Sequence, residues 1–385
     1  MKLLSIIDSL SVGGAERLLV DLVAERQAAG VGCEVAYFTP GPLGDAFDAM
    51  GVRLTRLSRA GLRDPRVIPR AVALIRRFRP DVVHTHLTKS DVAGQIAARI
   101  AGVPVRVLTH HNTDPWRRRR GLSLAYRLLT LGATHRIGVS EAVARHAEAT
   151  GGAPRGGVRV VPNGVDTRRF DPEAVAPLDL SGWQVPSGRT VLAVVGRLVE
   201  QKDHATFLRA AAIAAAADPS LHFLVVGEGP LRGALEAEAR RGPAADRIAF
   251  TGLVMDAPAL LASIDALVFS SAWEGLPVVL IEAMAMARPV VSTDVGAIGS
   301  ALTHGETGLL VPPGDPEALA AAMLALARDP DRRARMGRAA RLRAERDFSN
   351  RAMFAELSRI YGDRGRDGPP AARRAVPSAG PRGAR

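Results

Sequence analysis

Leu3-Leu4-Ser5-Ile6-Ile7 is followed by Ser11-Val12-Gly13-Gly14-Ala15-Glu16-Arg17 and a helical pattern to about Ala29. Val191-Leu192-Ala193-Val194-Val195 is followed in the same way by Gly196-Arg197-Leu198 and a helical pattern from about Asp203 to Ala217. Apolar strand, glycine turn and helix make the opening unit of a doubly wound parallel sheet, with its ligand at the carboxyl ends of the strands. Further Val/Ile-rich segments follow at 35–38, 82–84, 105–109 and 137–140, then at 223–226, 248–250, 266–269 and 289–292. Their alternation with helices predicts an α/β protein with a Rossmann-like parallel sheet in each half. The expected division is a first domain over 1–170, a Pro- and Asp-containing linker over 171–189 and a second domain over 190–349. A last helix over 350–361 and a basic Gly/Pro/Arg-rich tail over 362–385, expected to be disordered, complete the chain.

Composition agrees with two cores: 385 residues exceed one ordinary domain, and 47% of them are hydrophobic. The single cysteine, Cys33, excludes an internal disulfide and a multi-cysteine metal site. No apolar run approaches the ~20 residues of a membrane span, and Asp8 interrupts the start too early for a secretory signal. The cytoplasm is the expected location. The net charge of +12 is unevenly placed: residues 1–170 hold 26 Lys and Arg against 14 Asp and Glu, residues 171–362 hold 19 against 23. A basic first half attracts nucleic acid, anionic lipid or anionic glycolipid without distinguishing them.

Two segments carry the chemistry. In Ser271-Ala272-Trp273-Glu274-Gly275-Leu276-Pro277, a turn opens an apolar helix that contains Glu282, with Pro277 suited to its first position. The helix N-terminus is an anion site between two carboxylates, and carboxylates accept from sugar hydroxyls. That combination suits a nucleotide sugar, whose diphosphate lies between a ribose and a hexose. In Gly196-Arg197-Leu198-Val199-Glu200-Gln201-Lys202, glycine permits close backbone approach while an Arg fork and a Lys charge neutralise a diphosphate.

Together these segments resemble the Glu-x7-Glu and Gly-Arg-Leu-x-x-x-Lys signatures of the retaining glycosyltransferase family 4, which has the GT-B fold. The resemblance runs from about residue 2 to about residue 361 and implies two Rossmann-like domains facing across a cleft. It implies that Gly196, Arg197 and Lys202 contact the donor diphosphate. Glu274, with Gly275, Leu276 and Pro277, would hold the transferred sugar, and Glu282 the ribose. Gly13 and Gly14 resemble the first-domain glycine loop that approaches the donor from the opposite wall. His111, with His110 as the alternative, occupies the place of a histidine facing the sugar, and His86 would line the acceptor side. Arg197, Lys202, Glu274 and His111 are thus the implied catalytic set. Val161–Asp166, Val226–Leu231 and Gly305–Asp315 match further family segments. One loop departs: Gly296-Ala297-Ile298-Gly299-Ser300 stands where the family commonly has Gly-Gly-Ile/Asn-Pro-Glu, and it is assigned no site.

The implied activity is transfer from a nucleoside-diphosphate sugar to a glycan or lipid-linked acceptor in bacterial cell-surface polysaccharide synthesis. No metal and no other cofactor is expected, because Arg and Lys neutralise the diphosphate. A sugar-nucleotide epimerase shares the fold but needs acid/base carboxylates that the sequence does not single out. A nucleic-acid binder is disfavoured by 4% aromatic content. Trp116-Arg117-Arg118-Arg119-Arg120 suggests peripheral attachment to the inner face of an anionic membrane, with Trp116 at the interface. The apolar positions Leu122, Ala125, Leu128 and Leu129 that follow are expected to face the domain core.

Overall fold

The computed structural model describes residues 1–363, the side chain of Arg117 excepted; the tail beyond Asp363 lies outside the described residues. Seven strands form the first sheet: β1 Lys2–Ser9, β2 Gly32–Thr39, β3 Arg53–Arg56, β4 Val82–His86, β5 Val105–His110, β6 His135–Gly138 and β7 Arg159–Val160. Six form the second: β8 Thr190–Val195, β9 Leu221–Val226, β10 Ile248–Gly252, β11 Ala266–Phe269, β12 Val290–Thr293 and β13 Gly308–Val311. Their orders are β3-β2-β1-β4-β5-β6-β7 and β10-β9-β8-β11-β12-β13. All pairings are parallel. Strand order therefore reverses between β1 and β4 and again between β8 and β11, and a doubly wound sheet takes its ligand at such a reversal.

Helices cover both faces of each sheet, so alternate residues of one strand enter different cores. Leu3 and Ile7 of β1 pack on one side, Leu4 and Ile6 on the other. Val191 and Ala193 of β8 are likewise separated from Leu192 and Val194. Three strands have no counterpart in the sequence reading. Of these, β3 reads Arg-Leu-Thr-Arg, the charged composition of a protected sheet edge rather than an apolar run.

The linker region holds only the short 3-10 turn Ser181–Trp183, and Val175, Leu178 and Leu180 pack on the second-domain core. The helix Asn350–Gly362 returns to the first domain, where Met353, Phe354, Leu357, Ile360 and Tyr361 join the core around Leu3 and Ile7. Its start is stitched to the first domain: Val165 N donates to Phe348 O at 2.8 Å, and Asn350 N to Val165 O at 3.0 Å.

The helix Arg120–Leu129 overturns an expectation. Its buried residues are Ser123 and Tyr126, while Leu122, Leu124, Leu128 and Leu129, with Leu131 just beyond, are 46% to 57% exposed. Polar anchoring is the reason. Tyr126 Oη donates to Asp91 Oδ2 at 2.7 Å, and Arg136 donates to Thr130 O at 2.7 Å and Thr130 Oγ1 at 3.1 Å. Asp91 is buried and also accepts from Thr85 Oγ1 at 2.7 Å, so a helix presenting leucine there would deprive a buried carboxylate of one of its donors. Trp116 is half-buried with its ring 5.9 Å from that of Tyr126, instead of standing free.

Candidate active site between the two sheets

On the second-domain wall, Gly196 follows β8 and touches the loop after β9. A Cβ on Gly227, at φ +139°, would lie 2.0 Å from Gly196 O. Lys202 ends the 3-10 turn Glu200–Lys202 and donates from Nζ to Glu274 Oε1 at 2.6 Å. Glu274 also accepts from Ser271 Oγ at 2.7 Å and Gln201 Nε2 at 3.2 Å. The Lys202 and Glu274 side chains are 15% and 5% exposed, so this lysine is half of an enclosed ion pair, not a free charge in an open cleft. Gln201 and Ser271 had no signature in the sequence.

The apolar helix runs Val278–Ala285, and Pro277 is its cap with ψ 130° rather than its first helical residue. No side chain caps this helix and no acid lies in its first turn, which leaves the N-terminal N–H groups facing the cleft. Glu282 lies inside the helix and is buried. Desolvation pushes its carboxyl up to about 7, although Arg17 and Arg169 of the first domain pull the other way. Arg197 is exposed and its charge reaches across to Glu16.

The first-domain wall is built differently. Gly13 caps the helix Gly14–Ala28, and the Glu16 carboxylate folds back over it: a Cβ on Gly13 would lie 2.3 Å from Glu16 Oε2. Ser9 Oγ holds Glu16 Oε1 at 2.8 Å. A phosphate at this glycine loop would meet a carboxylate, so the close approach that Gly13 permits is taken up by the protein itself. Gly14 serves domain approach, since its Cβ would stand 3.2 Å from Val278 Cγ2. Asp8 occupies the start of the helix Thr88–Ile100, accepting from Ser90 N and Ser90 Oγ at 2.7 Å each and from Lys89 N at 3.2 Å. Burial raises the carboxyl pKa of both Asp8 and Glu16 against these hydrogen bonds. The sequence reading missed both acids. Glu16, an acid in the first helical turn before an apolar run, carried a helix-start signal that could have found it.

Three of the histidines, His84, His86 and His111, form a stack. His111 Nε2 meets His86 Nδ1 at 3.1 Å. The His86 ring lies 4.1 Å from that of His84, which is bonded at 2.7 Å to both Tyr361 Oη and Thr109 Oγ1. Burial lowers His111 to about 4 and His84 to about 3, and holds His86 well below its ordinary value. His86 is buried behind His111 and does not line the cleft, contrary to the sequence expectation. His110 is also buried, 6.0 Å from the Tyr126 ring, which leaves His111, largely buried but with some exposure, as the more accessible imidazole. Among the described residues, no three His, Cys, Asp or Glu side chains group as metal ligands.

The walls meet around the Glu274 loop. Thr113 Oγ1 donates to Glu274 O at 3.0 Å and Asn163 Nδ2 to Leu276 O at 2.7 Å, both from the first domain. A Cβ on Gly275 would lie 2.0 Å from His111 O. The atypical loop supports the same segment from below: Gly296, at φ +61°, lies against Glu274 O, and Ala297 N donates to Gly275 O at 3.1 Å. The result is one cavity of about 820 Å³, and every residue named from the sequence as catalytic or donor-binding lines it.

Paired Rossmann-like sheets with an open helix N-terminus, a cationic loop and two buried carboxylates in one cleft are the arrangement of a class of two-domain group-transfer enzymes. Comparison with known proteins gives the family. The description "Glycosyltransferase Family 4" matches residues 12–169 and "Glycosyl transferases group 1" matches residues 189–329. The chain is 31% identical over 307 residues to D-inositol 3-phosphate glycosyltransferase of Arthrobacter sp., covering 73% of this chain and 72% of the relative. It is 28% identical over 262 residues to an Escherichia coli UDP-Gal:alpha-D-GlcNAc-diphosphoundecaprenol alpha-1,3-galactosyltransferase, covering 65% and 67%. The fold is similar to that of Anabaena Alr3699/HepE in complex with UDP and glucose, with a TM-score of 0.84 at 22% identity over 94% of this chain and 99% of that one. The chain belongs to the GT-B glycosyltransferases of family 4.

Proposed function

We propose that this glycosyltransferase takes a nucleoside-diphosphate sugar as donor and transfers the sugar with retention of anomeric configuration to a lipid-linked or glycan acceptor of bacterial cell-surface polysaccharide synthesis. The observation that carries the donor reading is the uncapped N-terminus of the helix Val278–Ala285, flanked by Arg197 and Lys202 on one side and Glu282 on the other. The diphosphate sits at those N–H groups, the ribose hydroxyls reach Glu282, and the hexose lies toward Glu274 and His111. The Escherichia coli relative, whose name specifies a diphosphoundecaprenol-linked acceptor, supports a lipid-linked acceptor.

In the transfer, the bond from the anomeric carbon to the phosphate oxygen breaks and its electron pair stays on the diphosphate. Arg197, Lys202 and the helix N-terminus stabilise that charge as it develops. The acceptor oxygen bonds the anomeric carbon on the face the phosphate leaves, and its proton passes to the departing phosphate oxygen. Glu274 accepts from Lys202, Ser271 and Gln201, which engage its oxygens and make it a poor nucleophile while leaving lone pairs that can accept from sugar hydroxyls. Neutral His111 offers a hydrogen bond without adding charge, and no metal is needed for the diphosphate.

The test is a screen of UDP-, GDP- and ADP-sugars for slow hydrolysis by the purified protein, followed by NMR of the product's anomeric configuration. Hydrolysis of none, or interconversion of the free nucleotide sugar without transfer, would reject the donor reading. An inverted product would reject the same-face displacement alone.

A further inference from the structure

The helix Arg120–Leu129 presents its apolar side to solvent and its polar side to the protein, the reverse of an ordinary surface helix. At 100° per residue, Leu124 and Leu128 project opposite buried Ser123 and Tyr126, with Leu122 and Leu129 on one flank and Arg120 and Arg127 on the other. Arg118 and Arg119 are exposed just before it. An apolar face of this breadth, rimmed by cations, marks an interaction site. We propose that this face inserts at the headgroup–acyl boundary of an anionic lipid bilayer, with leucines in the acyl region and arginines at the phosphates.

Two other occupants fit poorly. The residues beyond Asp363 contain one strongly apolar side chain, Val376, and six arginines, so the tail is the wrong chemistry to cover leucines beside arginines. A second copy would bring the two arginine clusters together across the contact. Anionic lipid supplies both what the leucines and what the arginines lack. Insertion also differs from the attachment expected of the arginine run alone, because it outlasts the screening of charge by salt. Among the described residues no helix is long and apolar enough to cross a membrane, so attachment through this face is reversible and peripheral. In purpose the inference rests on the lipid-linked acceptor reading. Vesicle binding needs neither donor nor acceptor, so the two can fail separately.

The experiment is flotation of the full chain with vesicles of phosphatidylcholine, with and without phosphatidylglycerol, at low and high salt. Binding should require phosphatidylglycerol at low protein concentration and persist in part at high salt. Leu124→Gln with Leu128→Gln should cut partition by roughly tenfold or more while leaving the melting temperature and UDP affinity unchanged. Arg119→Ser with Arg120→Ser should reduce the preference for phosphatidylglycerol. As a second readout, an environment-sensitive dye on Leu128→Cys, in a Cys33→Ser background, should brighten and shift to the blue with vesicles. The same dye on Leu342→Cys, an exposed position of the second domain, should not. Failure of the wild type to bind, wild-type binding by the leucine variant, or an unresponsive dye at 128 would each overturn the proposal. A dimer that the leucine variant converts to monomer would assign the face to a second copy instead.

Discussion

The two strand-order reversals share one topology and differ in what occupies their helix ends. In the first domain, Glu16 folds over the start of the helix Gly14–Ala28 and Asp8 holds the start of Thr88–Ile100, so both positive helix ends are filled by the protein's own carboxylates. In the second, the helix Val278–Ala285 begins with an uncapped turn. In the first wall the helix ends are filled and burial keeps His84, His86 and His111 neutral; in the second an uncapped helix end has cations beside it. On the proposed reading, the same architecture separates a wall for hydroxyl chemistry from a wall for phosphate. Whole-domain charge runs the other way, since the basic half is the first. Its arginines lie largely away from the cleft, so net charge reports on partners and local geometry on substrate.

The sharpest break of this comparison is at Lys202. Lys202→Ala should lower kcat by about 10²–10³, the loss expected on removing a charge aimed at a leaving group. It should also cost about 3–5 kcal/mol of stability, because Glu274 stays buried without its cation. Arg197→Ala should lose activity without that stability loss, since its side chain is exposed. Steady-state rates with thermal melts separate the two. Equal stability in both variants would mean the Lys202–Glu274 pair is not closed in solution.

A direct exchange of the two walls comes next. Val279→Glu places a carboxylate in the first turn of the uncapped helix, as Glu16 stands in the other, and should weaken binding of free nucleoside diphosphate at least about tenfold. Glu16→Gln should change it by less than about twofold. Calorimetry decides, and a larger loss from Glu16→Gln would move the phosphate to the first-domain wall.

The smaller effects concern Glu282. Its folded value of about 7 lies above the ordinary 4.5, so the empty protein favours the neutral acid. That stabilising contribution is complete below pH 4.5 and is lost as pH rises through about 7. Glu282→Gln should remove this slope from unfolding curves. Ribose hydroxyls need the anion, so nucleoside-diphosphate affinity should fall about tenfold per unit below pH 7, beyond any titration of the phosphate itself, and Glu282→Gln should abolish the excess. Glu274→Gln should leave this affinity nearly intact and impair turnover of the full donor. Matching losses in the two variants would refute the division between ribose and hexose.

The fold was legible because both opening units repeat strand, glycine turn and helix, and buried parallel strands such as β11 read as unbroken apolar runs. The edge β3 escaped because its exposed faces are charged. The second-domain site was legible as two linear segments with recognisable spacing. The supports of that site were not: Ser271, Gln201, Asn163 and Thr113 act through contacts distant in sequence, which spacing does not record. The helix Arg120–Leu129 was misread for a related reason. Periodicity shows that a helix has an apolar side but not which side the fold buries, and here a buried carboxylate, Asp91, decided.

Gly275 touching His111 O has a further consequence, together with the bonds from Thr113 and Asn163. The segment proposed to hold the sugar belongs to the second domain by sequence and is clasped by the first. Separating the domains to release product must therefore unfasten it. On the proposed reading, a cleft that opens for release works as a latch, with its sugar clamp undone whenever it stands open to water.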